Sequence, residues 1–559
     1  MEKILKIFNK EYGNISQAAL LLGLLTIVSQ ILALFRDRAF AHFIGPSPSL
    51  DSYYAAFRVP DLIFICIASL ASITVLVPYI VARMDGDRVT DKAQKYLNDV
   101  FTAFFMLMIA VALLAFILMP HLISYIAPGF TPFYQGQVIT ISRIMLLSPI
   151  FMGLSNLFGT VTQLFHKFFI YSLSPIFYNI GIISGILFLY PIFGIYGLGL
   201  GVAFGAFLHF LVQAWSASDS GFTPKFSKSV NMKEIKEVAK TSLPRTLGMA
   251  FNNIALVSII SLASFLKSGS ISIFNLAFNL QSVPLNIIGI SYAVAAFPTL
   301  AKSFSAGKIE DFKMHLKKTS RAIVFWSLPV IFLFIVLRAQ VVRVILGSGS
   351  FSWANTRLVA ACLAIFAVSI LAQGMITLLS RSYYATGDTK RPLIVNFLCS
   401  VFIIILSYVF IHLFENVLVF RYFIESLLKV SDIDGTEVLM LPLAYSVGTI
   451  LNFVLHWLFV KRDFMPNESF ITKTFFQSLG ASFCLGLVAY VSLGILSPIF
   501  GTTTFWGVFL QGFISGIIGI TAAILVLYLL KSEELKEVLD TLHTKFWKAR
   551  VLPPSQEGL

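Results

Sequence analysis

An arginine or carboxylate inside an apolar run of chain needs a partner or a task, and this sequence has several. Arg36, Asp37 and Arg38 close a run that carries Gln30; Asp51 opens the next run, and Arg58 lies two turns further in, just before Pro60 and Asp61. A second polar group, Arg245, Asn252, Asn253, Asn275, Asn279 and Gln281, comes much later in the chain. An arginine held at mid-bilayer costs about 2.5–3.5 kcal/mol on insertion scales. The combined set is polar and net positive, and guanidinium groups grip phosphate oxygens in a bidentate fork. These residue types suit recognition of a phosphate-bearing headgroup. Gln30, Arg36, Asp51, Arg58, Arg245 and Asn279 are the candidate substrate-binding residues. Other readings stay open: Arg36, Arg38 and Arg245 reaching out to headgroup level, and Arg58 forming a structural ion pair with Asp51 or Asp61.

Catalytic signatures are missing. The sequence has no GxxxxGK[ST] loop, no HExxH, no GxSxG and no zinc spacing. His166, His209, His412 and His456 are scattered and are expected at helix ends or packed faces, not in a proton relay. Cys66, Cys362, Cys399 and Cys484 lie in apolar segments without CxxC spacing and read as small packing residues. The expectation is a transporter and not an enzyme, without cofactor or metal, driven by an ion gradient, the membrane potential or the substrate gradient.

The elements that position these residues must be membrane helices. Of 559 residues, 57% are apolar and 12% charged, with mean hydropathy +0.85. Soluble domains average roughly 25% charged residues. Fourteen apolar runs are long enough to span, near 15–35, 53–82, 95–119, 138–165, 170–190, 195–215, 238–266, 270–300, 318–337, 354–380, 392–412, 439–460, 474–496 and 505–530. They are continuous and not alternating, which excludes a strand barrel. The first run follows Lys3, Lys6 and Lys10, is long for a signal peptide and has no A-x-A site after it, so it reads as a retained helix.

Thirty of the 41 Lys and Arg residues fall on the side of the N-terminus, the even-to-odd loops and the tail, and eight fall opposite. That split places both termini in the cytoplasm. It also accounts for the net charge of +14 through topology, with no nucleic-acid partner. The outward connection 413–438 is long and acidic, and its first part, 414–430, suits an amphipathic surface helix. In the tail, Leu535, Val538, Leu539, Leu542 and Phe546 have helical spacing and predict a cytoplasmic surface helix within 532–550.

The chain also resembles itself at an offset of about 221 residues. "YYAAFRVPDLI" at 53–63 corresponds to "FNLAFNLQSVPLNI" at 274–287, and "FHKFFIYSLSPIFYNIGII" at 165–183 to "YYATGDTKRPLIVNFLCSVFI" at 383–403. Six helices separate the copies, so the repeat is parallel, and such transporters place the substrate route between lobes that rock. The expected organisation is 1–225 as an N-terminal lobe and 226–465 as a C-terminal lobe containing the insertion. Residues 466–531 form an accessory helix pair, and 532–559 a tail. Gly181, Gly185, Gly197, Gly201, Gly205, Gly516 and Gly519 predict close helix approach. Pro60, Pro149, Pro175, Pro244, Pro284, Pro298 and Pro392 predict breaks or kinks.

The run "ILALFRDRAFAHFIGPSPSLDSYYAAFRVPDLI" resembles the N-terminal signature of the MurJ family of lipid II flippases, in the MOP exporter superfamily. That signature has Arg-Asp after helix 1, then a Gly turn, an Asp, and Ala-Phe-basic-x-Pro. "IAPGF" at 126–130, "SPIFYNI" at 174–180, "SFLKSGSIS" at 264–272 and "FPTLAKSFSAG" at 297–307 are similar too. The resemblance covers helices 1 to 8 well and continues more weakly to helix 12. It implies an all-α fold of about fourteen membrane helices with two six-helix lobes, in the bacterial cytoplasmic membrane. It further implies that lipid II, an undecaprenyl-pyrophosphate-linked peptidoglycan precursor, moves from inner to outer leaflet, its tail in a groove beside helices 13 and 14. Membrane lipids and the cell-wall synthesis machinery are the implied partners. Arg36 and Asp51 match the family's positions, and Arg58 keeps a basic one. Gln30, Phe64 and Asn279 stand where the family often has cavity arginines. Asn396 matches part of a sodium-binding arrangement seen in some relatives, but Ser400 supplies no carboxylate, so no sodium site is expected. The thinned arginine set leaves a second reading: export of another polyprenyl-linked oligosaccharide by the same motion.

Overall fold

The computed structural model of the chain describes residues 15–68, 76, 79, 80, 83, 90–165, 167–466, 471–502 and 504–546. Among these it is helical, with no strand. In chain order the helices that matter here are α1 (Ile15–Phe43), α2 (Pro48–Ala56), α3 (Arg58–Ala68), α4 (Asp91–Ile126), α5 (Pro132–Met145), α6 (Leu147–Leu164), α7 (Phe168–Ser184), α8 (Ile195–Asp219), α9 (Met232–Ala263) and α10 (Ser270–Pro284). They continue with α11 (Ser291–Ser305), α12 (Ile309–Val336), α13 (Arg338–Leu346), α14 (Trp353–Val368), α15 (Ile370–Ala385), α16 (Lys390–Asn416), α17 (Leu418–Leu428), α18 (Met440–Phe464), α19 (Thr472–Phe500), α20 (Phe505–Leu529) and α21 (Glu533–Phe546).

Eleven of the described segments are long and apolar enough to cross a membrane, and α14 with α15, bent by 42°, makes up to twelve. These twelve overlap the third to the fourteenth expected runs. The first run is α1. The second is broken into α2 and α3, and much of its later part lies outside the described residues. Large apolar side chains such as Ile117, Leu398, Ile495 and Leu525 stay exposed on the long helices. Lipid is the solvent that covers such faces, and the chain is a multi-pass membrane protein.

Local chemistry sets the helix boundaries. Ser47 caps α2, its Oγ accepting from Leu50 N at 3.4 Å, with Pro48 at the first helical position. Thr90 caps α4 and Thr504 caps α20 in the same manner. The prolines divide into two kinds. Pro60, Pro149 and Pro392 sit in the first turns of α3, α6 and α16, where a missing N–H costs nothing; Pro60 and Pro149 follow directly on the breaks between α2 and α3 and between α5 and α6, as expected of them. Pro175 and Pro298 lie inside α7 and α11, and Pro284 leads into a π-helical stretch, Leu285–Ile290. Pro244 lies within α9, its side chain outside the described residues.

By internal contact the chain forms two compact units. The first comprises Met1–Leu280, Ile345–Cys362 and Thr389–Gly448. In it, α7 and α8 meet through glycines: a Cβ on Gly181 would lie 2.1 Å from Gly205 Cα, and one on Gly185 2.5 Å from Gly201 Cα. Bare backbones in contact are the reason for small residues there. Ser155 Oγ on α6 lies 2.6 Å from His209 Nδ1 on α8, and Lys167 Nζ donates to Asp219 at 2.6 Å. The insertion forms α17 immediately after α16, and Glu425 accepts from Arg421 at 3.0 Å and from Thr436 at 2.7 Å.

The second unit comprises Gln281–Val344, Leu363–Asp388 and Thr449–Leu559. Its core gathers Phe312, Leu316, Ile323, Leu378 and Tyr383. Gly289 and Gly374 meet as the α7–α8 glycines do. Ser380 Oγ on α15 lies 3.1 Å from His456 Nε2 on α18. His209 and His456 thus sit on packed faces, as expected, and His166 lies outside the described residues. Helices α19 and α20 pack side by side, with Leu485 and Ala489 against Gly519. The tail helix α21 is docked by Glu533 and Glu534 on Arg321, and residues 547–559 lie outside the described set.

Candidate functional site

Arg36, Asp51 and Arg58 all belong to the first compact unit, and each is held differently. Near the end of α1, Arg36 donates from Nε and Nη2 to Asp37 Oδ1 at 3.0 and 2.9 Å, and from Nη1 to Asn179 Oδ1 on α7 at 3.2 Å. Asp37 is 2% exposed, and the Arg36 side chain 19%. Asn179 in turn donates to Pro175 O at 3.0 Å. That bond fixes the amide's orientation, with its oxygen accepting from Arg36. The guanidinium therefore turns toward protein partners. Arg38 also turns to protein, donating to Ile345 O at 3.1 Å.

Asp51, 3% exposed, lies in the first turn of α2, but its carboxylate serves another helix. It accepts from Gly269 N at 2.6 Å, from Ser272 N at 2.7 Å and from Ser272 Oγ at 2.5 Å. These are donors at the N-terminus of α10, where the first amides have no partner within the helix and the dipole favours negative charge. Gly269 has φ +92°, the left-handed region that favours glycine, and a Cβ there would also press on Pro46 at 3.3 Å.

Arg58 opens α3. Its Nη2 donates to Asn275 Oδ1 at 2.6 Å, and Asn275 donates to Ile271 O at 2.8 Å. Arg58 Nε is buried without a partner among the described residues. The ion pair with Asp51 open to the sequence is not made, because the Asp51 oxygens are taken by α10. Asn275 and Asn279 are one turn apart, on one face of α10. Asn275 meets Arg58, and Asn279 lies within hydrogen-bonding reach of Asp37. One helix face thereby joins two charges from two other helices.

Neighbouring junctions extend this cluster. Ser350 N donates to His42 O at 3.0 Å, and Gly129 N to Ser264 Oγ at 3.0 Å. Gly349, at φ +55°, lies so close to His42 that a Cβ would meet its carbonyl oxygen at 2.3 Å. Segments from the two sequence repeats are thus tied together at the ends of α1, α4 and α9, one bond running backbone to backbone and the other backbone to hydroxyl.

The remaining candidates fare differently. Gln30 is half-buried on α1. Six residues before Arg36 at about 100° per residue, it faces away from the Arg36 side by about 120°. Arg245 lies within α9, and its side chain falls outside the described residues. Gln281 belongs to the second unit, where it accepts from Gln373 Nε2 at 3.0 Å. Asp37, Asn179, Gly269 and Ser272 were not singled out from sequence as site residues. A lone amide one turn after a mid-helix proline was the signal available for Asn179. Among the described residues no three His, Cys, Asp or Glu side chains cluster to hold a metal.

Comparison with known proteins bears on the family and the fold of the chain. The sequence model of the family described as lipid II flippase MurJ matches residues 40–512. A probable lipid II flippase MurJ from Rhizobium tropici is 27% identical over 382 residues, covering 66% of this chain and 70% of that protein. Its counterpart from Borreliella burgdorferi is 25% identical over 497 residues, covering 86% and 96%. Among solved structures, a lipid II flippase MurJ in an inward closed conformation is similar, with TM-score 0.71 and 22% identity, over 93% of this chain and all of that one. An inward-facing MATE-family multidrug transporter of the MOP superfamily follows with TM-score 0.61 and 16% identity, over 79% and 96%.

Proposed function

This chain belongs to the lipid II flippase MurJ family, and on that footing we propose how it moves its substrate. It translocates lipid II, the polyprenyl-pyrophosphate-linked peptidoglycan precursor, and is a transporter of the MOP superfamily. The observation that carries the residue-level reading is the Arg36 cluster. Arg36 is a guanidinium held inside the fold by Asp37 and Asn179. A pyrophosphate entering the site takes over part of that fork, and Asp37 and Asn179 retake it on release. Exchange of one partner for another keeps binding shallow enough for a lipid to leave. Arg58, with its Nε facing no protein acceptor among the described residues, gives a second contact for the same headgroup. Asn279, beside Asp37, is a neutral neighbour of the same headgroup, and Gln30 and Arg245 remain the further candidates for the route.

In this reading the movement is alternating access between an N-terminal lobe, 1–225, and a C-terminal lobe, 226–465. Residues 466–531 are an accessory pair for the lipid tail. Both termini are cytoplasmic, by the charge asymmetry of the loops. The Asp51 cap on α10 and the His42–Ser350 contact then lie on the outer side. They join the sequence repeats there and hold the carrier closed to the outside until the headgroup arrives.

The test is complementation. Shut off the resident lipid II flippase of a bacterium, express this chain, and measure lipid II exposed on the outer leaflet. Restored exposure that is lost in Arg36→Ala, at unchanged protein level, supports the site. Full exposure with both Arg36→Ala and Arg58→Ala overturns it. Labelling of cysteines placed near 225 and 425 with a membrane-impermeant reagent checks the orientation: only the second is to react from outside.

A further inference from the structure

The second compact unit contains a cavity of about 850 Å³ that no transport step above uses. Its walls come from α11, α12 and α21. Along α12 the lining residues Lys318, Arg321 and Phe325 recur at helical spacing on one face, with Trp326 beside them. Seven residues of helix rise about 10 Å. Over that distance the wall passes from cations to aromatic rings, and Tyr292 of α11 joins the aromatic end. Trp326 and Tyr292 are each 38% exposed. A site that is ionic at one end and aromatic at the other, on a membrane helix, fits an amphiphile whose head lies at the surface.

The opposite wall carries acids. Glu533 and Glu534 each lie 2.6 Å from Arg321, and Glu537 lies 2.6 Å from Lys318. Cations on α12 thus face carboxylates on α21. An anionic headgroup would have to lie against three carboxylates. A headgroup that carries a phosphate and an ammonium matches both rows. A primary ammonium donates hydrogen bonds to carboxylate, and a quaternary one has no donor.

We propose that this cavity is a binding site for a zwitterionic phospholipid with a primary-amine headgroup. The headgroup opens the Lys318–Glu537 pair and takes its place, the phosphate accepting from Lys318 and the ammonium donating to Glu537, with the first acyl carbons against Trp326 and Tyr292. The bound lipid bridges α12 and α21 and firms the seat of the tail helix.

The full chain, purified in detergent and stripped of lipid, is titrated with phosphatidylethanolamine, phosphatidylcholine or phosphatidylglycerol of matched acyl chains. Native mass spectrometry counts the adducts. Phosphatidylethanolamine is expected to bind about tenfold tighter than the other two. Glu537→Gln is expected to erase its advantage over phosphatidylcholine, and Trp326→Ala to weaken all three lipids alike. Glu537 is 63% exposed in its side chain, so its substitution leaves the fold intact. Equal binding of the three lipids, tighter binding of phosphatidylglycerol, or a preference untouched by Glu537→Gln overturns the proposal. Adduct counting is independent of lipid II flipping, so failure here leaves the transport reading standing.

Discussion

Asp51 and Glu534 are both nearly buried carboxylates that hold sequence-distant segments together, yet they do so in opposite ways. Among the described residues Asp51 meets no cation. Its partners are two backbone amides and a hydroxyl at the start of α10. Glu534 sits among charges and hydroxyls: Arg321 at 2.6 Å, Thr474 at 2.6 Å and Ser532 at 2.8 Å, with Glu533 sharing the arginine. The first arrangement is specific and without substitute, because backbone donors cannot turn elsewhere. The second is redundant, since Arg321 keeps one acid when the other is lost. Where a buried charge is met by fixed dipoles, one substitution breaks the junction; where it is met by a network at the surface, the network adjusts.

That contrast is tested first by Asp51→Ala. Three donors lose their acceptor, each worth about 1–3 kcal/mol when left buried and unpaired, so a loss of about 3–5 kcal/mol is expected. Thermal unfolding of the purified protein measures it, and a loss under about 1 kcal/mol would erase the distinction. Asn at this position retains one oxygen and should recover part of the loss. Next in size is Arg58→Ala, which removes the charged bond to Asn275 at a cost of about 1.5–3 kcal/mol and lowers lipid II exposure several-fold in the complementation assay. Arg58→Lys should restore stability better than transport, because an ammonium cannot reproduce the planar fork.

Glu534→Gln should cost less, about 1 kcal/mol, because its hydroxyl partners remain and Glu533 still holds Arg321. Burial pushes the Glu534 carboxyl up, but the bonds from Thr474, its own backbone, Ser532 and Arg321 outweigh it and leave it below its ordinary value. Glu533 is held down to about 2 by hydrogen bonds from Arg321 and Lys473 and by their charges. A depressed carboxylate contributes fully above its unfolded value near 4.5 and loses that contribution as pH falls toward 2. Protease cleavage of the α21 tail should therefore rise across that window, while Asp51→Ala loosens its junction at neutral pH. Smallest of all is Lys318→Ala: its pair with Glu537 is about two-thirds exposed on both sides, so a change within about 0.5 kcal/mol is expected, vanishing at high salt.

Much of this was readable in the residues. Twelve helices overlap twelve apolar runs because hydrocarbon demands about twenty apolar residues in one stretch. The glycines at 181, 185, 201 and 205 foretold close helix approach, since only small residues let backbones meet, and the structure makes that approach the α7–α8 contact. Arg36, Asp51 and Arg58 stood out because charge is rare in such runs. Their partners did not stand out. Asp51 looked like the start of its own helix, and nothing local says that its carboxylate caps a helix more than two hundred residues away. Asn179 looked like one more polar residue after a proline. Gln30 drew attention by a family position, yet helix geometry turns it from Arg36. The prolines were read as breaks or kinks, and Pro60 and Pro149 do follow breaks within their runs, while Pro392 only opens a helix, because a proline's effect depends on its place in the turn.

The sequence by itself determined that the solvent is lipid and where most of the spans lie, both of which follow from composition and periodicity, local and additive along the chain. It also determined which family the chain joins, through residues matched in order along it. Only the tertiary structure decided which acid meets which donor, that Arg36 is held by Asp37 and Asn179, and that α21 closes a mixed-charge cavity over α12. Partner choice is a matter of direction and distance between segments far apart in sequence. In a low-dielectric interior a hydrogen bond gained or lost over an ångström decides it, and no run of residues records that distance.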